Sequence, residues 1–186
     1  DNGVLDFSLR GNQKYQKCLR YFAKTYGRLA AIMEEEYIFN WLAWDGDNML
    51  ADGGILDYGS IRQFAAKHNK YRYEDVDRFS SSLNEQKFWA RSIVQTFAQT
   101  ADFIISKEKK NFKLFENDES LEVFDQEFFN ERQKALLWRV GFDEDQIEMI
   151  KEQHSDKVAA FRKVLYYFED IKTVSGETKV SDGVDH

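Results

Sequence analysis

The chain has no proline among its 186 residues, and Cys18 is its one cysteine. Average usage of about 5% would give roughly nine prolines. Their absence removes the commonest helix stop and fits long helices with few rigid turns. One cysteine excludes an internal disulfide framework and fits a reducing, cytoplasmic compartment. Long apolar runs are missing too. No stretch approaches the roughly 18 residues of a membrane span, and the leading DNGVLDFSLRG has no signal-peptide pattern. Positive charge is in deficit: the net charge of −7 argues against nucleic acid or an anionic membrane as the main partner. What the chain has in quantity is aromatic surface, with sixteen Phe, nine Tyr and four Trp. That is ample material for one core, and the expected class is mainly α with a small β-hairpin.

The helical period is plain along most of the chain. Tyr15, Cys18, Leu19, Phe22, Tyr26, Leu29, Ala30, Ile32 and Met33 recur at three and four residues, with Asn12 as the expected N-cap. Glu34, Glu35 and Glu36 interrupt that face. Tyr37–Trp44 is a second apolar run whose periodicity fits a buried helical turn or a strand equally well. Residues 65–83 are polar and aromatic-dotted, which reads as an ordered loop. From Asn84 to about Ser106, Trp89, Ile93, Val94, Phe97, Ala101, Phe103 and Ile104 keep helical spacing. A basic link, KEKKNFK, precedes helices expected near 119–138, 143–153 and 155–172, and the tail 173–186 is poor in hydrophobics and expected to fray. With no repeat and no domain boundary, residues 1–186 form one unit: a loop-and-hairpin segment at 45–59 and a helical body at 84–172.

One stretch departs from this pattern. WDGDNMLADGGILDYGS, residues 44–60, holds five Asp or Asn and four Gly between apolar flanks. Met49-Leu50 and Ile55-Leu56 around Ala51-Asp52-Gly53-Gly54 read as a β-hairpin. The simplest account is a surface turn, since Asp, Asn and Gly are the usual turn residues. A calcium loop starting at Asp45 fails, because Met49, Leu50 and Leu56 stand where an oxygen ligand, a Gly and a Glu are needed. The third account is chemical. Kinase-like enzymes hold magnesium, a hard cation with few protein ligands, between an Asn ending the catalytic loop and the Asp of a D-x-G turn. Asn48, a hairpin, and Asp57-Tyr58-Gly59 have this form, with Asp47 available as the base.

Here the sequence resembles a family. Asp47-Asn48-Met49, with Asp57-Tyr58-Gly59 beginning nine residues after the Asn, is similar to the pattern of the selenoprotein O family of kinase-like protein adenylyltransferases. Upstream, TYGRLAAIMEEEYIFNWLAWDGDNM resembles the helix leading to that family's G-V-M-N-T-D-N-M segment. Downstream, RFSSSLNEQKFWARSIVQTFAQ resembles its R-Y-x-F-x-N-Q-P segment. The likeness spans roughly residues 12–105. It implies a protein-kinase-like C-terminal lobe that transfers AMP from ATP to protein hydroxyls. Asn48 and Asp57 would ligate Mg²⁺ or Mn²⁺, Gly59 would complete the nucleotide turn, and Asp47 would be the candidate base. The chain departs from the family at Trp41-Leu42, Asp45-Gly46 and Asn84-Glu85-Gln86, and the family's C-terminal selenocysteine or cysteine motif is absent. The resemblance further implies an N-terminal lobe with a Gly-rich strand pair and a Lys as a necessary partner. Only 46 residues precede Asp47 and they read as helix, so inactivity without that lobe is expected.

The remaining residues have plainer readings. Trp41 and Trp44 read as core, and His68, His154 and His186 as isolated surface residues. The Lys107–Lys110 run reads as a solvated link, Cys18 as buried and inert, and Arg62 as a salt-bridge residue. Two function classes follow: a nucleotide-using transferase lobe acting on a hydroxyl-bearing protein, or a non-catalytic pseudokinase module in which the hairpin is structural. Within the first, phosphotransferases of the aminoglycoside or protein-kinase type are the close rival. They normally separate the Asp and Asn that are adjacent here.

Overall fold

A computed structural model of the chain describes residues 10–40, 44, 48–56, 58–63 and 83–172. Four helices make the body: α1 (Asn12–Glu35), α2 (Leu83–Ser106), α3 (Glu119–Arg139) and α4 (Glu144–Lys172). Strands β1 (Ile38–Asn40) and β2 (Ile61–Gln63) pair antiparallel, with Ile38 opposite Gln63 and Asn40 opposite Ile61. The molecule is mainly helical, as the periodicity predicts. The apolar run after α1 resolves as a strand at Ile38–Asn40.

α1 packs on both α2 and α3, and the reason is its small residues. Ala23, Gly27, Ala30 and Ala31 are buried on its inner face, so the helix axes approach closely. At Gly27 an added Cβ would lie 2.7 Å from the Phe124 carbonyl oxygen of α3. Around this crossing Tyr26, Met33, Ala90, Val94, Leu121, Phe124 and Phe128 form the main core. Its rim is tied by Arg28–Glu127 and by Arg91 and Lys87, which meet Asp125 at 3.0 and 3.1 Å.

α3 then runs on into a second, smaller core, where Leu136 and Leu137 meet Ile147 and Val158 of α4. Its ends are fixed locally. Asp118 caps the start by accepting from the Ser120 amide, and Gly141 at φ 100° supplies the left-handed turn after its end. Asp143 and Gln146 form a reciprocal capping box at the start of α4. The break expected between 143–153 and 155–172 is present: His154, at φ −140° and ψ 28°, is non-helical and divides α4 into two helical segments.

Several local expectations are corrected. Gly11, not Asn12, occupies the N-cap of α1, at φ 69° and with no side-chain cap. Glu34 and Glu35 do not interrupt the buried face but lie in it, each buried against arginines. Cys18 is half-buried rather than sealed, on an apolar groove with Phe22, Phe97 and Ile104. Lys110 is held rather than free in solvent, 2.8 Å from Asp102. Of the loop expected at 65–83, Leu83 instead begins α2; residues 65–82, the tail at 173–186, Trp41, His68 and His186 lie outside the described residues. Among those described, no helix is long and apolar enough to cross a membrane.

Candidate functional site

The DNM…DYG segment sits between the two strands of the ladder. β1 leads toward it and β2 follows it, so the pairing of Asn40 with Ile61 holds the base of the whole excursion closed. Inside, the chain turns back on itself over 48–56. Met49 bridges Ile55 in antiparallel pairing, and the Leu56 amide donates to the Asn48 carbonyl at 2.9 Å. The hairpin is therefore present as expected, though as one bridge rather than two full strands. Its turn depends on glycine. Gly53 has φ 82° and donates to the Leu50 carbonyl, and the Gly54 amide donates to the Asp52 carboxylate at 3.0 Å.

Three side chains anchor this hairpin to the body. Met49 is buried in the main core, with Ile55 packed beside it. The fully buried Tyr26 of α1 donates its hydroxyl to the Leu50 carbonyl at 2.8 Å. Burial, with the Asp52 carboxylate adding to it, pushes the Tyr26 hydroxyl up to about 12. Trp44, buried as expected of a core residue, donates its indole N–H to Gln86 at 3.3 Å. Gln86 in turn donates to the Ile38 carbonyl at 3.0 Å, so one buried amide of α2 links the loop before the hairpin to β1. Sequence reading missed Gln86, because a glutamine in a helical run carries no sign that it faces a strand 48 residues away.

Of the predicted site residues, Asn48 is half-buried at the mouth of the hairpin and Gly59 lies in a single 3₁₀ turn, Tyr58–Ser60, leading into β2. Asp47 and Asp57 lie outside the described residues, as does the side chain of Arg62. The closing hydrogen bond nevertheless joins Asn48 and Leu56, the immediate sequence neighbours of those two aspartates. The donor chemistry of the segment, a carboxamide and carboxylates, suits a hard cation such as magnesium. Among the described residues, no group of three His, Cys, Asp or Glu side chains could hold a metal ion. His154 stands exposed at the α4 kink and fits its reading as a lone surface residue.

A second polar cluster was not foreseen. Glu35, almost fully buried at the end of α1, accepts from Arg132 and Arg139 at 3.4 Å and pairs with Arg162. Glu34 meets Arg132 at 2.6 Å, and the Tyr166 hydroxyl donates to Glu35 at 2.9 Å. Burial is the main cause that raises the Tyr166 hydroxyl, with the Arg132 and Arg162 charges opposing it. Two carboxylates against three guanidiniums give a paired ionic core rather than a reactive carboxylate pair.

No family model, curated protein or solved structure matches the chain.

Proposed function

We propose that the chain is the catalytic-loop lobe of a kinase-like protein adenylyltransferase. The observation that supports this reading is the closed hairpin, whose Asn48–Leu56 hydrogen bond brings together the neighbours of Asp47 and Asp57. A surface turn would satisfy its own backbone equally well. It would not need the buried Tyr26, Met49 and Trp44 that fix this segment against α1 and α2. A long helix before the loop and a helical body after it also suit a kinase-like C-terminal lobe.

In this reading the acceptor is a Ser, Thr or Tyr hydroxyl on a protein, and the donor is ATP. Asp47 takes the proton as the hydroxyl oxygen bonds to the α-phosphorus. The bond from that phosphorus to the bridging oxygen breaks, and pyrophosphate leaves. Asn48 and Asp57 would hold Mg²⁺ or Mn²⁺, which supplies neutralisation of phosphate charge. Gly59 would complete the nucleotide turn. An N-terminal lobe would supply the Lys and the phosphate cover, and nucleic acid and membrane have no part in the reaction.

The test is to incubate the full-length protein and an acceptor with ATP labelled at the α-phosphate and, separately, at the γ-phosphate. Label reaching protein from the α position alone is expected. Label from the γ position alone would make the protein a phosphotransferase of the aminoglycoside or protein-kinase type. A non-catalytic interaction module draws support from Phe161, Val164, Tyr167 and Phe168, all exposed along α4. It would be the correct reading if neither label transferred.

A further inference from the structure

Beyond the kink at His154, the described side chains of α4 meet the body mainly through polar contacts. Among the described side chains of this half, the buried apolar contribution is Val158, with Leu165 partly buried beside it in the small core. Phe161, Val164, Tyr167 and Phe168 remain 46 to 63% exposed, so this half of the helix has not buried its own aromatic surface. What fastens it otherwise is a clasp on Glu35. Arg162 pairs with that carboxylate and donates to the Arg132 carbonyl at 3.2 Å, while the Tyr166 hydroxyl donates to Glu35 at 2.9 Å. The clasp is imperfect. Arg162 Nε is buried with no hydrogen-bond partner, a desolvated donor that the docked state leaves uncompensated.

A further arginine carries the Glu35 contacts to the turn between α1 and β1. Arg139 meets the Glu35 carboxylate, donates to the Glu35 carbonyl at the end of α1, and reaches the Tyr37 hydroxyl at 3.3 Å. Tyr37 has φ 53°, a left-handed conformation that costs energy for a residue with a side chain. It is the turn by which α1 passes into β1. One buried carboxylate thus receives α4 on one side and, on the other, the arginine that holds a strained turn.

We propose that residues 155–172 are a detachable strap, clasped by Arg162 and Tyr166 on Glu35, whose release loosens the Tyr37 turn and with it β1. The physical basis is a near balance. Desolvation offsets most of the attraction in a buried ion pair, and the described side chains of the strap add little apolar burial, so docked and released states lie close in free energy. On release Glu35 loses two donors and must be rehydrated. Water then reaches the end of α1, where the Arg139 contacts hold Tyr37 in its left-handed conformation. The device does not depend on the catalytic reading, because its readout is the mobility of two segments.

Hydrogen exchange measured on the full chain tests it, comparing the parent with Arg162→Met and Tyr166→Phe. Arg162→Met is expected to speed exchange about tenfold or more in 155–172 and also in 36–40, with 83–106 unchanged. Tyr166→Phe, which keeps every charge, is expected to give the same two segments at smaller amplitude. Acceleration in 155–172 without 36–40, or no acceleration in either segment, overturns the proposal. If Arg162→Met loosens the whole chain, Tyr166→Phe decides. Paired acceleration confined to the two segments supports the strap, and a uniform or absent change refutes it.

Discussion

At the scale of single residues, Tyr26 carries a pH signature. Burial, with the Asp52 carboxylate adding to it, pushes its hydroxyl up to about 12. The unfolded chain therefore releases this proton near pH 10 while the folded chain holds it to about 12. The contribution is complete below pH 10 and lost as pH rises through 12, a loss on the order of 3 kcal/mol. Denaturant titrations at pH 9 and pH 11.5 should show a larger drop for the parent than for Tyr26→Phe; equal drops would remove the assignment. At neutral pH, Tyr26→Phe should cost about 1 kcal/mol, one net hydrogen bond. Asp57 belongs to the proposed chemistry. Asp57→Ala should abolish metal-dependent ATP binding by the full-length protein, since one of very few protein oxygens is lost. Calorimetric binding that survives the change would sink the assignment.

At the scale of elements, the α1–α3 crossing hangs on Gly27. A methyl group there meets backbone, the Phe124 carbonyl at 2.7 Å, and backbone cannot rotate aside as a flexible side chain can. Overpacking of this kind costs about 1–3 kcal/mol. Alanine's helix preference over glycine, about 1 kcal/mol, offsets only part of it. Gly27→Ala should therefore lower the unfolding midpoint, although alanine is the better helix former; a raised midpoint would show that the helices separate freely. The hairpin has its own glycine requirement. At Gly53 the left-handed φ of 82° coincides with the Thr25 methyl, 2.9 Å from any added Cβ. Both positions read in the sequence as an ordinary helical glycine and a turn glycine. Only the hairpin glycine was legible, because Asp-Gly-Gly between apolar pairs is a local signal.

At the scale of the whole molecule, α3 is the shared wall of two cores, one with α1 and α2 and one with α4. The larger core should dominate stability. Phe124→Ala is expected to cost about 3–5 kcal/mol, within the usual range for a buried aromatic. Thermal unfolding followed by circular dichroism measures it, and a shift no larger than that of an exposed-site control such as Phe129→Ala would contradict the assigned core. Phe129 is 48% exposed, whereas Phe124 is fully buried.

The sequence alone determined the helices, because a 3.6-residue period is a property of neighbours within one turn or two. α2, α3 and the kinked α4 fall within a residue or two of the spans their apolar spacing predicts. It also determined the hairpin turn, which glycines and an Asx contact write locally, and it put Asp47, Asn48, Asp57 and Gly59 forward as candidates. What tertiary structure decided depends on residues far apart in the chain. Glu34 and Glu35 looked like a break in an apolar face because a lone carboxylate cannot be buried. Their arginine partners Arg132 and Arg139 lie about a hundred residues on, and only folding brings those guanidiniums to the end of α1. The β1–β2 ladder and the Gln86 link arose in the same way. Three-residue strands carry too short a pattern to read, and a buried amide declares its partner only when the partner arrives.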